Sequence, residues 1–157
     1  MKNIFITWIS LLLLTVLTGS CQKEVTQNCE GDGAQQVETF YNVAFENIPC
    51  SLHNIDADDK VVNLVIKTQA DYENYFTCST QLPDVDFDLY FILAGRYRHS
   101  NCAIFDSQQV LLCNNKILYR VGMLEQACQA ITDVFYVTVI ERSYESLSIE
   151  FDVKFVN

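Results

Sequence analysis

Two histidines, two runs of alternating acidic residues and seven cysteines carry whatever chemistry this 157-residue chain can perform. A Ser-His-Asp relay needs an imidazole base, and His53 and His99 are the two on offer, each in a polar stretch where a solvated side chain is the ordinary outcome. The sequence contains no Gly-x-Ser-x-Gly elbow, no His-Glu-x-x-His pair and no phosphate-cradling glycine loop. These residues point away from an enzyme, and no cofactor is expected. Asn54, Asp56 and Asp58 place oxygen ligands at alternate positions, like the opening of a calcium loop. The pattern then fails, with Asp59 where a glycine belongs and Val65 where a bidentate glutamate belongs. They are weak calcium candidates, set against an acidic turn before the next strand. Asp84, Asp86 and Asp88 alternate too, and are expected on one face of a solvated strand entry. Zinc lacks a ligand set: there is no Cys-x-x-Cys, and His99-x-x-Cys102 stands alone.

Cys21 has a different chemistry. Lys2, an apolar core from Ile4 to Leu17, and Thr18-Gly19-Ser20 lead directly into it. This is the layout of a secretory signal cut before a cysteine, as in bacterial lipoproteins. The apolar stretch is shorter than the roughly 20 residues a transmembrane helix requires. Residues 1–20 are thus expected to be a signal peptide, with Cys21 carrying diacylglycerol on its thiol and an acyl chain, such as palmitate, on its amine. Several buried chains suffice for stable anchoring. Gln22-Lys23-Glu24 resembles the export signal of Bacteroidota surface lipoproteins, which implies the outer face of the outer membrane; the periplasmic leaflet is the alternative.

Assigning Cys21 to lipid leaves an even set: Cys29, Cys50, Cys78, Cys102, Cys113 and Cys128. In an oxidising compartment six cysteines read as a disulfide framework. A hairpin centred on Ser107 and Gln108 would set Cys102 opposite Cys113, close enough to bridge. For the rest, Cys29 with Cys50 and Cys78 with Cys128 are the favoured pairings.

The elements that must position these residues are mostly strands. Residues 61–66, 87–93, 116–121 and 134–140 are apolar or β-branched runs, and a further strand is expected around Val43 and Phe45. Leu147 to Phe155 alternates apolar with polar throughout, which predicts an antiparallel strand with one wet face. One helix is expected after Thr68, an N-cap followed by Asp71, with Tyr72, Tyr75 and Phe76 along its core face. Residues 124–133 fit either a short helix or a loop pinned by Cys128. Residues 21–36 are too polar to pack and read as a lipidated tether, leaving 37–157 as a single β-rich domain. The expected fold is mainly β: an antiparallel sandwich or partly open barrel with one short amphipathic helix, braced by disulfides.

Residues 61–141 resemble the PrcB-like C-terminal domain family. The resemblance rests on Val65-Ile66, the helix with Tyr72, Tyr75 and Phe76, Pro83-x-x-Asp86-Phe87 leading into Leu89–Leu93, Gly95, and the late strand Phe135–Ile140. It implies a small accessory domain that stabilises a surface protease, and it brings no catalytic residue. Two elements depart from it: Gly95-Arg96-Tyr97 replaces Gly-Gly-Tyr, and Glu141-Arg142 replaces Pro-Lys.

Formal net charge is −10, and becomes −11 once Lys2 leaves with the signal, 9 basic residues then facing 20 acidic ones. Such a chain is repelled by nucleic acid, which is not an expected partner. Against that background Arg96-Tyr97-Arg98-His99 is the densest basic spot. Arginine and tyrosine are enriched at protein interfaces, so a loop presenting Arg96, Tyr97 and Arg98 is the expected partner site; neutralisation of the acidic strand entry is the rival role. The expected function is a non-enzymatic, lipid-anchored envelope module that binds another protein. The alternative is a glycan- or calcium-binding module of a surface uptake assembly.

Overall fold

The computed structural model describes residues 34–40, 45 and 49–156; the expected signal at 1–20, Cys21 and Cys29 lie outside the described residues. Among the described residues nine strands, one short helix and a single 3-10 turn make a mainly β fold. One sheet has the order β1-β6-β7-β9, from Gln35–Gln36, Ala103–Cys113, Lys116–Glu125 and Ser148–Phe155. A second has the order β3-β5-β8, from Val61–Ile66, Tyr90–His99 and Thr132–Glu141. These two sheets form a sandwich without closing into a barrel. β2 (Cys50–Leu52) pairs with β4 (Phe76–Cys78), and with helix α1 (Gln69–Tyr75) it covers the outer face of the β3-β5-β8 sheet.

β5 has to be apolar on both sides because both its faces are covered. Phe91 and Leu93 enter the core between the sheets with Val110, Ile117, Tyr119, Val121 and Tyr136. Ile92 and Ala94 face the other way, against Tyr72, Phe76, Val85 and Val137. The aromatic side of α1 is therefore core through Tyr72 and the partly buried Tyr75, whereas Phe76, expected on the helix, is the first residue of β4. Thr68 caps that helix as expected, its Oγ1 accepting from the Asp71 N–H at 3.1 Å. The strand expected around Val43 and Phe45 falls mostly outside the described residues, although Phe45 itself is buried. Gln35 and Gln36, read from sequence as tether, pair with Leu112 and Leu111. Val37 N then bonds to Val110 O and Phe40 N to Val139 O, so this segment laces the two sheets together along one side.

Three expectations of local structure are corrected. The hairpin does not turn at Ser107 and Gln108: β6 runs on to Cys113, with a bulge between Phe105 and Ser107. The turn is Asn114-Asn115, both at positive φ (48° and 61°), the signature of a two-residue type I′ hairpin. Residues 84–88 form no strand; Asp86 closes a turn, its Oδ1 accepting from the Asp88 N–H and its carbonyl from Leu89 and Tyr90. β9 alternates as expected but lies parallel to β7, because the chain crosses to the other sheet as β8 before returning.

The disulfide framework is corrected with them. Cys102 bonds to Cys128, not to Cys113, and Cys50 bonds to Cys78 rather than to Cys29, which also frees Cys128 from Cys78. An 11-residue strand separates Cys102 from Cys113, a span of roughly 35 Å at strand rise, far beyond disulfide reach. The facing-strand geometry holds instead for Cys50 and Cys78, register partners across β2 and β4 with Cα atoms 4.0 Å apart. Cys113 is also disulfide-bonded. Residues 126–131 are a loop, pinned to the start of β6 by Cys102–Cys128.

Candidate functional site

Arg96, Tyr97, Arg98 and His99 are not on a loop but form the last turn of pleat in β5, between Val61 and Val62 of β3 and Thr132 to Phe135 of β8. A strand sends alternate side chains to opposite faces, so the four residues are split two and two. Arg96 and Arg98 point to the outer side of the sheet. Tyr97 and His99 point between the sheets.

Arg96 is 6% exposed. Its guanidinium donates to the carbonyl oxygens of Asp56 (3.0 Å), Ala57 (3.5 Å) and Asp59 (2.5 Å), and the Asp133 carboxylate lies 3.7 Å away. A buried arginine persists only when paired and hydrogen-bonded, and the 56–59 loop is wrapped around it for that purpose. This arginine is withdrawn from the surface and holds a loop. The same geometry answers the calcium pattern. Asn54 adopts φ 53° and donates through Nδ2 to Asn74 O at 2.8 Å, while Asp56 Oδ1 accepts from the Asp58 N–H at 2.9 Å. The loop carbonyls thus already converge on a cation, the Arg96 guanidinium. Among the described residues no three His, Cys, Asp or Glu side chains are gathered to hold a metal ion.

Tyr97 packs edge-on against Phe155 with ring centroids 5.7 Å apart, and Lys60 Nζ sits 5.3 Å from its ring. His99 stacks on Phe155 at 4.6 Å, and its Nε2 lies 3.3 Å from Glu125 Oε1. Glu125 also accepts from Asn101 Nδ2 at 2.9 Å. That hydrogen bond, with His99 beside it, holds the Glu125 carboxyl below the usual carboxylate range. The hydroxyl of Thr132 is committed, donating to Asn101 O and accepting from Ala103 N. His53 is far along the chain, its backbone N–H bonded to Tyr75 O.

Arg98 remains at the surface. It donates to Ala57 O at 3.1 Å and pairs with Asp133 at 3.8 Å. With Asp58, Lys60, His99, Ser100 and Ile131 it lines an open groove at the end of β5. Ile131 is 65% exposed, the most exposed large hydrophobic among the described residues, and Val61 on the neighbouring strand is 39% exposed. Sequence reasoning missed Ile131 and Lys60, since a lone isoleucine in a polar loop carries no periodic signal; the flanking Cys128 was the available clue to its fixed position.

The rival role for the arginines is also altered: their partners are Asp133 and the 56–59 carbonyls, not Asp84, Asp86 or Asp88. No helix among the described residues is long and apolar enough to cross a membrane. No family model, curated protein or solved structure matches this chain.

Proposed function

We propose that the chain is a non-enzymatic module, anchored to the outer membrane through a lipid on Cys21, that binds a protein partner of the cell envelope with the groove at the end of β5. The observation that carries the reading is Ile131. An isoleucine left in water forgoes roughly 1.5–3 kcal/mol of burial, and here it is held out by a loop that a disulfide ties down. Ile131, with Val61 exposed on the neighbouring strand and Arg98, Lys60 and Asp58 around it, has the apolar-centre, polar-rim arrangement of protein contact surfaces. Stabilisation of a surface protease, the role implied by the PrcB-like resemblance, is one form this contact takes. Display on the outer face is favoured by Gln22-Lys23-Glu24.

Fatty-acid labelling of intact cells tests the anchor: the label is expected on the native chain and absent from Cys21→Ala. Chemical cross-linking of the same cells tests the surface. Adducts seen with the native chain are expected to drop at least about ten-fold in Ile131→Asp, the loss typical of a central anchor residue. Unchanged adducts in that variant would refute the assignment.

A further inference from the structure

The outer face of the four-stranded sheet carries a second, polar groove. Tyr119 and Val121 of β7 point into the core, so Arg120 and Gly122 point outward. Ser107 faces Gly122 and Gln109 faces Arg120 across the antiparallel pair, while Asp152 and Lys154 flank them on β9. With Gln36 and Val156 at its ends, this face forms an open groove of about 310 Å3. At its floor the side chains of Ser107 and Val156 close over Gly122, where a β-carbon would lie 2.5 Å from Ser107 Oγ and 3.1 Å from Val156 Cγ1.

We infer that this groove binds a saccharide bearing a carboxylate. Asp152 Oδ2 accepts from both Arg120 Nε (3.1 Å) and Lys154 Nζ (3.2 Å), which fixes the two cations side by side. The terminal nitrogens of the Arg120 guanidinium stay uncommitted among the described residues and present the fork that matches a carboxylate. The side chains of Gln36, Ser107 and Gln109 make no hydrogen bond among the described residues, leaving two carboxamides and a hydroxyl for vicinal ligand hydroxyls. Asp106 Oδ2, 3.6 Å from the Gly122 β-carbon position, supplies an anionic acceptor for a further hydroxyl. A bare oxyanion would use the cations alone and be repelled by Asp106. A neutral sugar would use the amides and leave the guanidinium fork idle. A sugar acid uses both halves.

The test is a titration of the purified full chain, followed by amide chemical shifts, with three carboxylate-bearing probes: trigalacturonate, a hyaluronan hexasaccharide and sialyllactose. Maltotriose and inorganic phosphate serve as comparators. At least one acidic probe is expected to saturate the groove resonances at least about ten-fold more tightly than either comparator. Gln109→Ala should weaken it about five-fold and Arg120→Ala about ten-fold or more, the scales of a neutral and a charged hydrogen bond. Melting curves identify variants that fail to fold, and Gln109, partly exposed and unpaired, keeps the test independent of the Arg120–Asp152 contact. Failure of all three acidic probes, equal binding of maltotriose or phosphate, or indifference to Gln109→Ala overturns the inference.

Discussion

The ring of Tyr136 lies directly over Gly95, its register partner on the neighbouring strand, in the space that a β-carbon at 95 would occupy. The Tyr136 hydroxyl crosses beyond the glycine to donate to Asn63 Oδ1 at 2.6 Å, so one side chain ties all three strands of the sheet. Burial pushes its phenol well above the ordinary tyrosine range, with the Arg96 charge opposing. Gly95→Ala is expected to cost about 1–3 kcal/mol through overpacking, and Tyr136→Phe about 1 kcal/mol through the lost hydrogen bond. Urea denaturation measures both. If the ring and the glycine are one device, the Gly95→Ala cost shrinks in a Tyr136→Ala background; equal costs in both backgrounds would dissociate them.

Arg96 and Arg98, two residues apart, should behave differently. Removing Arg96 takes the shared donor from the carbonyls of Asp56, Ala57 and Asp59, which predicts a loss of about 1–3 kcal/mol for Arg96→Ala. Arg98 pairs at the surface, so Arg98→Ala should cost under about 1 kcal/mol. Limited proteolysis offers a second readout, with cleavage at residues 54–60 rising in the first variant and unchanged in the second.

The disulfides can be read by mass spectrometry of a non-reduced digest. Peptides linking Cys50 to Cys78 and Cys102 to Cys128 are expected; a Cys102–Cys113 peptide would contradict the fold. With sequence separations of 28 and 26 residues, each bridge stabilises the fold by roughly 3.5 kcal/mol in the chain-entropy description.

Glu125 should titrate below a free glutamate, since Asn101 and then His99 favour its charged form. A depressed folded pKa contributes stability that is present above the unfolded value of about 4.5 and is lost as pH falls through the folded one. Carboxyl-carbon shifts should place the Glu125 midpoint on the acid side of 4.5, and Asn101→Ala should move it upward. A midpoint unchanged in that variant would mean the 2.9 Å contact does not hold the carboxylate in solution.

What the sequence made legible follows from where its signals are local. The 61–66 strand, the Thr68 cap and the aromatic helix face are set by neighbouring residues, and each is present. The parallel pairing of β9 and the Cys102–Cys128 bond depend on which sheet a strand joins, a long-range choice that period-two alternation does not encode. The Asn114-Asn115 turn was readable, because asparagine tolerates positive φ, but it competes with an equally polar stretch at 106–109. Arg96 shows the limit for the site. A basic cluster reads as surface, yet the 56–59 loop covers Arg96 and leaves Arg98, on the same face, outside.

The most direct measurement places a photo-cross-linking amino acid at position 131 of the full chain in intact cells, with position 73 on the exposed side of α1 as the comparison. A discrete protein adduct is expected from position 131, lost on Arg98→Glu, and none of that mass from position 73. Equal adducts from both positions, or an adduct at 131 that survives Arg98→Glu, would contradict the claim that the end of β5 is the contact surface.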